Sequence, residues 1–350
     1  SASTGPVAPG SPASLVVTGL PVGSSVYTRV WAEDESGNVS APSSTAAAWA
    51  SPFTLSRLDG AGTDAGRSAS VALDRSGDAH VAYTAGTITQ ELRYLKRAGG
   101  VWSVAEAPDS GIPAEDALVA VDAAGVPQIL YRNSSTGQLR HARRSAGWQA
   151  AAVATGDLRP GGLALDATGY AHISYYDAAL PGLRYGRWSG AAWETAAVDA
   201  GAGLGRYSSL ALDGAGTPHV AYFDAASSDL KHASKTAAGV WVTSTVDSVG
   251  AVGSSPTLVL DGEGRPTVFY LDTAAKDLKA ARFDGSAWTV SVVDSTGAAA
   301  GVGGAALDGA GRAAVAYYDA TAGDLLLARH DGTDWQLGAV DGYGDVGPWS

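Results

Sequence analysis

The chain of 350 residues contains no cysteine and no methionine. Without thiols there is no disulfide framework and no thiolate nucleophile or metal ligand, and the redox compartment is left open. A translated chain begins with methionine, so this one reads as a processed chain or as a segment of a longer one. Lysine is scarce, 5 residues against 18 arginines, and 35 acidic residues bring the formal net charge to −12. A surface of that sign repels phosphate backbones and anionic lipid headgroups, so nucleic acid is not an expected partner. No run approaches the roughly 18 consecutive apolar residues of a spanning helix, and no basic segment precedes an apolar one at the start. Neither membrane insertion nor a retained signal peptide is expected. The arginine preference, with abundant alanine and glycine, fits a GC-rich bacterial genome.

What is abundant is glycine, 46 residues, and repetition. The stretch "SSLALDGAGTPHVAYFD", residues 208–224, gathers Asp213, His219, Tyr222 and Asp224, which looks like the kit of an acid/base site. It is copied along the chain. Its first aspartate recurs as Asp74, Asp122, Asp166, Asp213, Asp261 and Asp308, at spacings of 48, 44, 47, 48 and 47 residues. An active site is built once, whereas a structural unit is copied, so the run is expected to build a repeat.

Each unit holds four short apolar runs separated by turn chemistry, the pattern of strands joined by tight turns. Nine residues after each aspartate stands a tyrosine: Tyr83, Tyr131, Tyr175, Tyr222, Tyr270 and Tyr317. The third run is anchored by Leu92, Leu139, Leu183, Leu230, Leu278 and Leu325, and the fourth opens at Trp102, Trp148, Trp193, Trp241, Trp288 and Trp335. All but Trp102 are followed five residues later by valine (Val153, Val198, Val246, Val293 and Val340). "FDGSAW" and "HDGTDW" place Asp-Gly, a hairpin signal, between the third and fourth runs. The fold class expected is all-β: four-stranded antiparallel blades, which bury both faces only when arranged as a β-propeller. A parallel β-helix uses shorter coils, and a sandwich array gives no reason for the period.

Residues 53–341 resemble the propellers built from "alD..G..hvaYyd....Lkya....g.W....vd" units in bacterial extracellular proteins, of the BNR/sialidase-like or lectin-like type. The sialidase Asp-box is not matched, because "RFDGSAW" carries Arg282 at its serine position and its hairpin is one residue shorter. Residues 12–48, with "LVVTGLPVGSSVYTRVWAEDESGNVSAPS", resemble the C-terminal half of a fibronectin type III domain. The expected division is therefore 1–48 half sandwich, 49–52 linker and 53–350 propeller. Within the propeller, Phe53, Leu58 and Asp59 match the Trp, Val and Asp of a fourth strand, so 53–59 is an extra outer strand. Six units run from about 66 to 341, and 342–350 is a tail. Six blades are favoured over seven.

His80, His172 and His219 share one position in three units and are expected to pack or to bond locally. Asp177, Asp224, Asp272 and Asp319 are expected to accept backbone N–H bonds in the following turn. Trp193, Trp241 and Trp288 are the candidate ligand-binding residues, as stacking platforms for sugar rings; the competing reading packs each against the next blade. The innermost apolar runs "SVALD", "LVAVD", "LALD", "TLVLD" and "AALD" hold no arginine to receive a substrate carboxylate, and no G-x-S-x-G, P-loop or metal cluster is present. No catalytic residue, metal or cofactor is expected. The reading is a non-enzymatic extracellular or cell-surface binding and assembly module, with copies of itself as partners through head-to-tail strand exchange. Its alternatives are a carbohydrate-binding propeller for surface glycans, and a propeller-type glycoside hydrolase or lyase.

Overall fold

The computed structural model describes residues 65–341, Leu58, and two short strands, Ser25–Thr28 and Ala46–Trp49. The first group forms six four-stranded sheets, each a meander in chain order: blade 1 (65–102), blade 2 (114–154), blade 3 (158–200), blade 4 (204–247), blade 5 (252–294) and blade 6 (299–341). The first strands of successive blades pack on one another, so these strands are innermost and the tryptophan-led strands outermost. The chain is an all-β, six-bladed propeller.

The repeated aspartate explains the first turn of each blade. Asp74 Oδ1 accepts the backbone N–H groups of Ser76 and Asp78 at 2.9 and 3.0 Å, and Asp213 Oδ1 those of Ala215 and Thr217 at 2.9 and 2.8 Å. The glycine that follows takes a left-handed φ, +79° at Gly77, Gly125 and Gly169, a conformation cheap only without a Cβ. The second aspartate set behaves likewise: Asp177 Oδ1 accepts from Ala179 and Leu180 at 2.9 and 3.0 Å, and Asp272 Oδ1 from Ala274 and Ala275 at 3.1 and 2.9 Å.

Blades meet through apolar faces. Tyr222, with Leu210 and Val220 of blade 4, packs on Leu183, Tyr185 and Val198 of blade 3, and Tyr270 and Tyr317 sit alike in the next two interfaces. Each buried side chain of this size contributes about 1.5–3 kcal/mol. The tyrosine hydroxyls then latch blade to blade. Tyr222, Tyr270 and Tyr317 donate to Asp199, Asp247 and Asp294, the residues that follow the outer strand's valine in the preceding blade, at 2.7, 2.7 and 2.6 Å. Tyr131 donates to Asp109 in the same way. The 2/3 interface lacks the acceptor, because Ala154 stands six residues after Trp148.

Two boundaries differ from the sequence reading. The first strands begin earlier, at Leu158 and Leu204 for example, because a bulge interrupts the ladder between Pro160 and Gly162 and between Leu204 and Ser208 and so hides the alternation. Blade 1's fourth strand is only Val101–Trp102, because the register shifts by one residue between the Arg97–Trp102 pair and the isolated bridge Tyr94–Glu106, which interrupts the ladder. The outward faces of the end blades are less covered than the rest: Val71 of blade 1 is 64% exposed, against 7% for the equivalent Val119 and Leu210, and Leu73 is 66% exposed where Val121 and Leu212 are half-buried. On blade 6, Leu325 and Leu327 are half-buried, where Leu278 of blade 5 is fully buried. The two short strands pair antiparallel, Ser25 opposite Trp49. The rest of the expected fibronectin-like half, the strand 53–59 apart from Leu58, and the tail lie outside the described residues.

Candidate functional site

The Asp-His-Tyr run that opens the question of chemistry is closed on itself. His80 Nε2 lies 3.3 Å from Asp74 Oδ2 and its Nδ1 is 2.7 Å from the Tyr94 hydroxyl; His172 repeats this with Asp166 at 3.3 Å and Tyr185 at 2.6 Å. His219 instead faces a second imidazole, His232, at 3.2 Å. Burial pulls His80, His172 and His219 below the ordinary histidine value, against the pull of their aspartates. Burial opposes charge on Asp74 too, yet hydrogen bonds from Lys96, Asp78 N–H, His80 and Ser76 N–H hold its carboxyl well below the usual range. A neutral, shielded imidazole beside a carboxylate kept ionised by backbone donors is a cross-brace, with no open side for a substrate. Among the described residues no group of His, Asp and Glu is placed to hold a metal ion.

From blade 3 on, the tryptophan that opens an outer strand turns toward the preceding blade and meets an aromatic ring edge-on, on that blade's third strand for Trp193, Trp241 and Trp288 and on its second strand for Trp335. Trp193 packs on His141 at 5.3 Å between centroids, Trp241 on Tyr185 at 5.2 Å, Trp288 on His232 at 5.4 Å and Trp335 on Phe269 at 5.8 Å. All four are half-buried, so one edge stays in reach of solvent at every blade boundary. The three sequence candidates are thus set in three separate grooves rather than in one site. Trp241 carries Lys235 at 5.3 Å from its ring, and its Nε1 is shielded with no acceptor among the described residues.

A cation that the sequence reading missed faces the same grooves. Four residues after the third-strand leucine stand Lys96, Arg143, Arg187, Arg282 and Arg329, with Ser234 as the exception in blade 4. In the first three blades this cation is engaged by the aspartate of the first turn: Lys96 with Asp74 at 3.1 Å, Arg143 with Asp122 at 3.7 Å and Arg187 with Asp166 at 3.4 Å. In blade 5, Arg265 takes Asp261 at 2.8 Å, and Arg282 has no carboxylate partner among the described residues. Blade 6 repeats the substitution, with Arg312 on Asp308 at 2.7 Å.

The freed Arg282 lies in a groove of about 410 Å³ with Arg265, Asp284, Thr289 and Ser291. Register puts Arg282 opposite Thr289 and Ala280 opposite Ser291, and Ala280 opposite the Phe269 that carries Trp335. One groove therefore collects two arginines, one of them without a carboxylate partner among the described residues, two hydroxyls and a carboxylate; Trp335 is not among its lining residues and packs on Phe269, whose register partner Ala280 lies opposite Ser291. The signal was legible as the repeated basic position and the extra arginine in "DGEGRP".

The early start of the first strands brings arginines into the innermost strands. Arg67, Arg159 and Arg206 lie within Ala65–Leu73, Leu158–Leu165 and Leu204–Leu212. The expectation of arginine-free inner strands does not hold, for the reason given above: these residues precede the bulge.

No protein-family model matches the sequence. No curated protein matches it either. Solved structures do match in fold. The SapL1 lectin in complex with alpha methyl fucoside superposes with a TM-score of 0.54 at 16% identity, covering 77% of this chain and 95% of that one. A lectin from Aleuria aurantia, in complex with Fucalpha1-6GlcNAc, gives a TM-score of 0.52 at 14% identity over 80% and 96% of the two chains. A streptogramin B lyase gives 0.56 at 12% identity over 83% and 86%. At these identities the likeness is one of fold.

Proposed function

We propose that the chain is a non-enzymatic carbohydrate-binding propeller of an extracellular or cell-surface protein, taking saccharides in the grooves between blades. The observation that carries this is the 5/6 groove. Sugar recognition needs an apolar edge for the pyranose face and fixed polar groups for its hydroxyls. Arg282, Asp284, Thr289 and Ser291 line the groove and offer the second; for the first we look to Trp335, which packs on Phe269 of blade 5. Two of the fold neighbours are lectins bound to fucosides, which raises the prior for this use of the fold without transferring their ligand. The Asp-His-Tyr braces are spent on structure, which supports a binding role over hydrolysis or elimination. The test is a glycan array followed by calorimetry. A neutral saccharide bound in the micromolar to millimolar range, and lost in Arg282→Ala while the near-ultraviolet spectrum is unchanged, is the expected result. Binding indifferent to Arg282 removes the groove from the reading.

A second reading, head-to-tail assembly, is favoured by one feature. The exposed Val71 and Leu73 face of blade 1 and the half-buried Leu325 and Leu327 of blade 6 are the two halves of the interface that elsewhere joins successive blades. Such complementary but different faces make a heterologous contact.

A further inference from the structure

The leucines that anchor the third strands are not equally sealed. Leu92, Leu139, Leu183, Leu230 and Leu278 are fully buried, whereas Leu325 of blade 6 is only half-buried. What seals each of the others is the residue that opens the next blade. Ala114 packs in one cluster with Leu92, Leu158 with Leu139, Leu204 with Leu183, Val252 with Leu230 and Ala299 with Leu278. Backbone bonds fix the same contact. The N–H groups of Ala114, Leu158, Val252 and Ala299 donate to the carbonyls of Gln90, Gly137, Ser228 and Lys276 at 2.8, 3.1, 2.9 and 3.0 Å, and each acceptor stands two residues before its blade's leucine.

The glycine after the opening residue records how close this approach is. A Cβ on Gly205 would stand 2.6 Å from Leu183 Cβ, and one on Gly253 would stand 2.7 Å from Leu230 Cα. Both glycines hold a left-handed φ, +80° and +95°. Leu204 and Gly205 follow Asp199 by five and six residues, and Val252 and Gly253 follow Asp247 by the same count. An apolar residue and a glycine at that distance from the aspartate ending an outer strand therefore mark a segment laid across the preceding blade's leucine.

The mark recurs after blade 6. Asp341 ends its outer strand, and Val346 and Gly347 stand five and six residues on, so that "DGYGDVGPWS" at 341–350 matches "DSVGAVGSSP" at 247–256. Gly344 also falls where Gly250 does. The step from Asp341 to Val346 is as long as those from Asp199 to Leu204, Asp247 to Val252 and Asp294 to Ala299, which all reach across one blade boundary. A tether of that length holds Val346 beside blade 6 at a higher effective concentration than a free partner attains.

We propose that residues 342–350, which lie outside the described residues, dock on the outward face of blade 6 as the opening of a further first strand. Val346 covers Leu325, Gly347 lets the backbone pass over it, and the Val346 N–H donates to the carbonyl of Gly323, two residues before Leu325. The occupant of this face is then the chain's own tail. The head-to-tail contact calls on Leu325 as well, so the two occupants exclude each other there, and the carbohydrate groove is independent of both.

Because the chain has no cysteine, Leu325→Cys supplies a single thiol, and its alkylation by a maleimide reads whatever covers this face. The rate is measured across micromolar concentrations in Leu325→Cys alone and combined with Val346→Asp or Gly347→Val, substitutions that lie outside the six sheets. Val346→Asp and Gly347→Val are each expected to speed labelling by about ten-fold or more, the response of a site opened by local undocking. The rate in Leu325→Cys alone is expected to be independent of concentration. A rate unchanged by Val346→Asp overturns the proposal. Protection that grows with concentration overturns it too, because it assigns the face to a second copy and leaves the head-to-tail reading standing.

Discussion

Replacing Tyr270 by phenylalanine removes one oxygen from a fully buried site and isolates the latch between blades 4 and 5. Its hydroxyl donates to Asp247 at 2.7 Å, and the same aspartate receives Lys279 at 3.5 Å and the Val249 N–H at 3.0 Å. A hydrogen bond to a charged partner contributes about 1.5–3 kcal/mol. Asp247 keeps its other two donors in Tyr270→Phe, so the cost is expected near the lower half of that range. Asp247→Ala strands the hydroxyl in an apolar interface and takes one carboxylate from Lys279, which keeps Asp272 at 3.0 Å; about 2–4 kcal/mol is expected for an interaction broken from one side. The double variant should cost less than the two singles added, by about 1.5–3 kcal/mol, the coupling of a directly bonded pair. Urea unfolding followed by tryptophan fluorescence reads this, since every blade boundary carries a tryptophan. The 2/3 interface is the internal control: Tyr175 is equally buried but faces Ala154, so Tyr175→Phe should be close to neutral. Should Tyr175→Phe cost as much as Tyr270→Phe, or the cycle show no coupling, the latch contributes only packing and the reasoning fails.

Acid should weaken the fold before the carboxylates titrate. Burial and the adjoining His219 push His232 down to about 3, and burial with Arg143 pushes His141 down to about 4. An unfolded histidine titrates near pH 6.5, so below that the unfolded chain binds protons the folded chain refuses; stability is full above about pH 7 and falls toward pH 4, by about 2 kcal/mol per histidine at pH 5. Melting temperature measured from pH 7.5 to 5 should drop, and less steeply in His232→Gln; a flat wild-type profile contradicts it. For assembly, light scattering across micromolar concentrations should show species above the 35.1 kDa chain that Val71→Glu with Leu73→Glu abolishes. A single 35.1 kDa mass at every concentration rejects that reading.

The blade was legible because its constraints are local. An aspartate that caps its own turn, a glycine at positive φ and a tyrosine nine residues on all act within one hairpin, and the repeat shows them six times over. What crosses between blades was harder to read. The latch joins Tyr270 to an acceptor 23 residues upstream in another sheet, and neither residue announces the other. The inner-strand arginines escaped because the bulge breaks the alternation on which strand boundaries are read, so "LGRYS" passes for a linker. The shortened strand of blade 1 did leave a mark, in the missing valine after Trp102.

Repetition and binding pull against each other in such a chain, and the candidate sites fall where repetition gives way. In blades 1 to 3 the basic residue of the third strand is spent on the turn aspartate, and the groove it faces is internally neutralised. Moving an arginine into the turn itself, as Arg265 does, satisfies the aspartate from within five residues and releases Arg282 to solvent at no loss to the turn. At the other end the repeat places no fixed residue type before the bulge: the position is Arg67, Glu115, Arg159, Arg206, Ser254 and Gly301 in turn. A ligand site in this propeller is read by asking which copies of a structural position have been relieved of their structural partner.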